Sequence, residues 1–376
     1  MDVINRTPYS LEVARAQLFY RDLLMTTVIC KSCWKISPGQ TLSLAPAPPI
    51  LHEDQAIHGI VFEGEVVPVK HGCDFAIVGD AQSPDGRPTT SMIVQAQIGS
   101  RRSTMRISGD RAWVPRPHGG FSPSKPQPFM SMPLSYDRAF GGSRRGDFDM
   151  DEVHPQNPSG KGLVSREKDV AGSPLPNIEW EDELLTDWRA RPRVAGWAPL
   201  PRASMIRGMR GIDVDLEAQT TQMEPLAFNF AQPSLLFDAY PPEAPVKIRG
   251  LSRDDGVMFR LPRFEVLADL TLHHRTFTFS LVPDTVVIFP SIREFWITSR
   301  IAFIYQFRPE RQRTLTVREG REASSVDLPT LGQLRAEPNP AIPLEAPDDV
   351  PFVLETLLEK YPLQRIIDNL PVCASP

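Results

Sequence analysis

Cys30 and Cys33 stand in a Cys-x-x-Cys spacing, which can hold zinc or cycle between dithiol and disulfide. The pair falls in Leu23 to Ile36, an apolar run that reads as a strand, where residues three apart point to opposite faces. No second such pair and no spaced histidine pair supplies the remaining ligands, so no metal site is expected. Ser159-Gly160-Lys161-Gly162 shares part of a phosphate-loop pattern, but Pro155 stands where the first glycine belongs and Gly162 where the Mg²⁺-binding hydroxyl would be. Gly250-Leu251-Ser252-Arg253-Asp254 lacks the closing glycine of a nucleophile elbow. His52-Glu53 has no histidine three residues on. His273 and His274 are adjacent on what reads as a strand, so their rings diverge.

Among the acids, Glu179, Glu181, Asp182 and Glu183 are close enough in sequence for acid/base work or calcium binding. Nothing around them fixes a carboxylate spacing and no EF-hand pattern is present, so they read as a solvated acidic loop. Arg101-Arg102, Arg144-Arg145 and the arginines between 189 and 193 form small separated patches without the stacking motifs of RNA-binding modules. The chain carries 41 Lys and Arg against 46 Asp and Glu, a net charge of −5. Binding to nucleic acid is therefore not expected, although each patch can steer an acidic partner. No catalytic set and no cofactor site emerges.

The elements that must position any site are strands. In Ser91 to Ile98 the residues Met92, Val94, Ala96 and Ile98 alternate, Gly99-Ser100 offers a turn, and Met105 and Ile107 continue in step. Arg253-Asp254-Asp255-Gly256 marks a second hairpin between Val246-Lys247-Ile248 and Val257-Met258-Phe259. Thr271 to Val282, Thr285 to Phe289 and Phe295 to Phe307 are rich in β-branched and aromatic residues. The expected fold is mainly β, with antiparallel, sandwich-like sheets over residues 1–313. Proline is abundant, 39 of 376 residues, and crowds residues 115–201, where periodicity disappears. Large aromatics such as Phe121, Tyr136, Trp180 and Trp197 argue that this stretch forms long ordered Pro/Gly-rich loops and not disorder. Residues 314–351 read as a Pro-rich connector. In 352–376, Leu363, Ile366, Ile367 and Leu370 have helical spacing, so a short helical tail is expected, docked on the body or offered to a partner. No apolar run is long enough for a transmembrane helix, and the first residues lack the pattern of a signal peptide, which points to a cytoplasmic protein without membrane insertion.

The loops carry the most distinctive strings: FMSMPLSYDRAFGG at 129–142, HPQNPSGKGL at 154–163, SPLPNIE at 173–179 and AGWAPLPR at 195–202. VFEGEVVPVKHGCDFAIVGDAQSPDGRP at 61–88, Ser108-Gly109-Asp110-Arg111, NFAQPSLLFD at 229–238, RLPRF at 260–264 and VPDTVVIFP at 282–290 follow the same order. Over residues 1 to 308 the chain resembles the bacterial family of domain of unknown function 2169. That resemblance implies an adaptor, or chaperone, of the type VI secretion system, which holds a toxic effector in the producing cell and helps load it onto the VgrG spike or its PAAR tip. The motif residues Tyr136, Arg138, Phe140, Gly141, Gly142, Asn157, Pro158, Gly160, Gly162, Pro176, Asn177 and Trp197 either brace two long loops or form a partner-facing surface. Arg138 can bond several loop carbonyls or pair with Asp137 or a distant carboxylate. Two other classes stay open: a hydrolase or carbohydrate-active enzyme using Asp137, Asp147 or Asp149, and an immunity or scaffold protein for a toxin.

Overall fold

The computed structural model describes residues 1–17, 23–37, 39, 41–145, 151–200, 212–215, 220–223, 228–252, 256–272, 275–306, 312–320 and 352–353. Strands dominate it, and among the described residues the only helical pieces are single 3₁₀ turns such as Tyr136–Arg138 and Pro233–Leu235.

Three long strands, Leu23–Ile36, Arg275–Phe289 and Glu294–Gln306, form the centre of an eleven-stranded sheet. Arg275–Phe289 serves two neighbours in succession, Val266–Leu272 along its first half and Glu294–Gln306 along its second. The change of partner coincides with an irregularity between Pro283 and Thr285, where Pro283 has no N–H to give a ladder. Ser10–Gln17 closes one end of the sheet and Asp2–Asn5 the other. Most pairings are antiparallel, as expected, but Cys73–Ile77 runs parallel to Thr285–Ile288 and Asp2–Asn5 parallel to Thr314–Val317. A second, five-stranded antiparallel sheet has the order Ile178–Trp180, Arg101–Ser108, Ser91–Ile98, Pro245–Arg249, Val257–Arg260. Its turn at Gly99-Ser100 sits where Ile98 pairs with Arg101, as the alternation predicts.

The two sheets share one core. Val94, Ile107 and Ile248 from the smaller sheet and Phe75, Ile288 and Ile297 from the larger belong to a single buried cluster. Phe259 stacks on Phe295 across it, with ring centroids 4.6 Å apart. Each apolar side chain taken fully from water into such a core contributes roughly 1.5–3 kcal/mol. The opposite face of the larger sheet carries a smaller cluster in which Leu51 and Phe62 cover Val287 and Phe289.

Three sequence expectations need correction. Arg313–Glu319 is a strand paired with Val266–Leu272, so the sheet continues beyond residue 313 into the stretch expected to be connector. Its alternating Leu315 and Val317 are both buried. Thr271 to Val282 is not one strand, since Leu272 pairs with Arg275 across a two-residue connection. Phe352–Val353 is a strand on Phe303 and Ile304, where a helix was expected. There the sheet offers unpaired backbone groups beyond the point where Arg275–Phe289 diverges, and ladder hydrogen bonds outweigh a weak local preference. The helical tail is thus not supported, and Leu363, Ile366, Ile367 and Leu370 lie outside the described residues. Among the described residues no helix is long and apolar enough to cross a membrane.

Candidate functional site

The strings at 129–142 and 154–163 meet in a short parallel pairing, Phe140 with Lys161 and Gly141 with Gly162. Backbone hydrogen bonds lace the two segments together: Gly142 N–H to Asn157 O at 2.8 Å, Lys161 N–H to Ala139 O at 3.0 Å and Leu163 N–H to Gly141 O at 3.1 Å. Asn157 is fully buried at their centre, its Nδ2 donating to Tyr136 O at 2.8 Å and Phe140 O at 3.0 Å. Gly141, at φ +147°, lies so close to this asparagine that a Cβ there would fall 2.3 Å from Asn157 O. Only glycine fits. Phe140 anchors the seam in a separate apolar cluster with Trp113, Leu163 and Leu175. Its ring and the His154 imidazole pack in a T-shaped arrangement, with centroids 5.4 Å apart.

His154 Nδ1 accepts the Asn157 N–H at 3.2 Å, which requires the unprotonated nitrogen. Burial, helped by the charge of Arg191, holds the His154 pKa below its ordinary 6.5. Between that lowered value and the unfolded pKa the unfolded chain binds more protons, so stability falls as pH drops through 6.5. His154→Gln should flatten the decline between pH 7 and pH 5 in a melting series. An equally steep decline in the variant would assign it to other groups.

A second seam ties the loops to the five-stranded sheet. Asn177, also fully buried, donates from Nδ2 to Ser108 O at 2.9 Å and to Asp110 Oδ1 at 3.0 Å, while its N–H reaches Arg138 O at 2.8 Å. Lys161 Nζ lies 3.7 Å from Asp110 Oδ1. The Asn177 hydrogen bond holds the Asp110 carboxyl below its usual range, with Lys161 and Arg138 adding to the effect. Burial pulls the Lys161 ammonium downward, opposed by Asp110 and reinforced by Arg138. Asp110, Lys161, Arg138 and Asn177, from four separate strings, therefore converge at one place. Arg138 does not pair with Asp137; its Nη1 points to Met132 Sδ at 3.2 Å, and Asp137 is exposed.

The remaining motif residues face inward. Tyr136 OH donates to Ala198 O at 2.9 Å and accepts from Gln232 Nε2 at 3.1 Å. Trp197 is fully buried with Nε1 on Ser103 Oγ at 2.8 Å. Pro176 is buried against Gly162, where a Cβ would meet Pro176 Cδ at 2.8 Å. Pro158 and Gly160 are half-buried in the turn that follows Asn157. Glu179 is not the solvated acid expected from its neighbours. It is 4% exposed, paired with Arg111, and accepts the Leu185 N–H at 2.8 Å, because Ile178–Trp180 is an edge strand on Arg101–Ser108. Glu181 makes a two-pronged pair with Arg106, and Asp182 and Glu183 pair with Arg193.

A further buried polar knot fastens the string at 229–238 to the larger sheet. Asp74 is fully buried and accepts from Lys70 Nζ at 2.9 Å, Asn229 Nδ2 at 2.9 Å and the N–H groups of Phe230 and Ala231 at 3.2 Å. Lys70 also reaches Thr285 Oγ1 at 3.0 Å and sits over the Phe230 ring. Nearby, Arg300 pairs with Asp284 and bonds Glu65 O and Val67 O, both at 2.9 Å, while Lys31 pairs with Glu65. Sequence reading singles out neither these residues nor Asp110, Lys161 and His154 as contacts. Asp110 and Lys161 sit inside recognisable strings, but the partners that give them a role lie far along the chain.

Cys30, Cys33 and Cys73 are buried free thiols; burial pushes the Cys30 thiol up to about 12 and Cys33 to about 11, which suppresses the thiolate a ligand or nucleophile needs. Among the described residues no group of three or more His, Cys, Asp or Glu is placed to hold a metal ion. Asp147 and Asp149 lie outside the described residues. The sequence model of a family described as "Uncharacterized protein conserved in bacteria (DUF2169)" matches residues 21–300. No curated protein and no solved structure matches the chain.

Proposed function

Since the chain belongs to the DUF2169 family, we propose that it is a cytoplasmic adaptor, or chaperone, of type VI secretion, which binds a toxic effector and helps load it onto the VgrG spike or PAAR tip. The observation that carries this reading is the ordered series of loop strings, together with the way their residues interlock. Asn157 and Asn177 spend their amides on backbone carbonyls and on Asp110, Gly141 and Gly162 permit close approach of segments, and Phe140 and Trp197 anchor the loops in cores. Loops held this way lose little conformational entropy on binding, which suits a docking surface.

In this reading the named motif residues position the surface, and exposed neighbours such as Asp137, Ser159 and Met130 are the groups a partner touches. The effector reading is tested by affinity purification of the full-length chain from the cell that produces it. A toxin or spike component should be recovered, and deletion of the gene should abolish secretion of that toxin. Self-intoxication with secretion intact would instead identify an immunity protein.

A further inference from the structure

The five-stranded sheet buries one face in the shared core; its other face is covered at the Ile178–Trp180 edge, where Glu179 opposite Arg106 is buried, and opens to solvent toward Pro245–Arg249 and Val257–Arg260. Direct pairing places Gln97 between Arg102 and Lys247, with Met258 beyond Lys247; Gln95 lies between Thr104 and Arg249, and Ile93 lies opposite Arg106. Paired residues share a face, so all of these point outward, while their chain neighbours Val94, Ala96, Met105, Val246 and Ile248 are buried. Arg102 and Arg249 are exposed and Lys247 half-exposed.

Charge on this face is one-sided. Glu179 is the single acidic residue within the five strands, and Arg111 occupies it. Glu181, just beyond, occupies Arg106. Arg102, Lys247 and Arg249 have no anionic partner among the described residues, although the whole chain carries a net charge of −5. A concentrated positive field on a negative molecule selects complementary partners and repels others. Adjacent strands lie about 4.8 Å apart, so the backbones of Arg102 and Lys247 are about 10 Å apart, and Lys247 and Arg249 follow one another at about 7 Å on the same face. An extended polypeptide repeats its same-side side chains at that same spacing of about 7 Å.

We propose that the outward face of the five-stranded sheet docks an acidic, extended segment of a protein partner. Carboxylates pair with Arg102, Lys247 and Arg249, Gln95 and Gln97 supply hydrogen bonds between them, and Ile93 and Met258, 38% and 45% exposed, add apolar contact at the margins. A polynucleotide fits less well, because the face offers few cations and no aromatic platform for bases. The inference goes beyond the adaptor reading and does not depend on it.

The test is fluorescence polarisation of a labelled polyglutamate peptide titrated with the full-length chain at low and high salt. The chain should bind at low salt and lose affinity as salt rises. Charge reversal at Arg102→Glu, Lys247→Glu and Arg249→Glu together should weaken binding by about tenfold or more, with the circular dichroism spectrum unchanged. A control changing net charge equally at the exposed Arg87, Arg116 and Lys125, each to Glu, should keep affinity within about twofold. The proposal is overturned by absence of binding at low salt, by equal loss in the control, by undiminished binding in the sheet variant, or by tighter binding of oligothymidylate than of polyglutamate.

Discussion

Asn157→Asp is expected to destabilise the chain by about 3 kcal/mol, although it changes neither the size nor the shape of the side chain. The amide Nδ2 is shared between Tyr136 O and Phe140 O. In the variant a carboxylate oxygen faces two carbonyl oxygens, Phe140 O loses this donor, Tyr136 O keeps only the Ala139 N–H at 3.1 Å, and a charge is buried at a fully enclosed position. Each buried group left unsatisfied costs roughly 1–3 kcal/mol. At about 2.1 cal/mol/K per residue, 3 kcal/mol lowers the melting midpoint of a chain of 376 residues by about 4 °C. Asn157→Ala removes the same donor and should cost a comparable amount. A thermal melt distinguishes donor from filler: if Asn157 only occupied space, the Asp variant would melt within about 1 °C of the parent.

Asp74→Ala is expected to be more damaging still, at about 4 kcal/mol. The carboxylate satisfies a buried ammonium, an amide and two backbone N–H groups at once. Its removal leaves Lys70 as an unpaired charge that is only 8% exposed, and breaking a buried pair in this way costs roughly 3–5 kcal/mol. Removing the cation as well, in Asp74→Ala with Lys70→Met, should recover part of that loss, because no buried charge is then left alone. Urea or thermal unfolding of the two single variants and the double variant closes the cycle. Strict additivity would mean that Lys70 and Asp74 do not depend on one another, contrary to the geometry.

Much of the sheet architecture is legible in the sequence, and what is not has a physical reason. The hairpin at Gly99-Ser100 shows because both strands alternate on either side of a turn dipeptide. The alternation of Leu315 and Val317 is equally local, but its significance depends on Val266–Leu272, a strand that lies far back in the chain. Phe352–Val353 has no strand signal of its own, since two residues carry no period and only the vacant edge beside Phe303 decides their conformation. At the candidate site, the glycines and prolines of the motif strings announce tight turns. Which atoms those turns bring together is invisible, because Asn177 finds Ser108 and Asp110, and Asn229 finds Asp74, across long separations. Glu179 illustrates the same limit: in a run of acids it looks solvated, and only the pairing of its strand on Arg101–Ser108 puts it beside Arg111.

The central claim is that the proline-rich loops are fastened to the sheets firmly enough to act as a preformed docking surface. Amide hydrogen exchange of the full-length chain tests it directly. The N–H groups of Gly142, Lys161, Leu163 and Asn177, each bonded across a loop seam, should exchange as slowly as those of Met105 and Ile107 in the sheet. Exchange at the rate of free peptide at those four amides, with the sheet still protected, would contradict it.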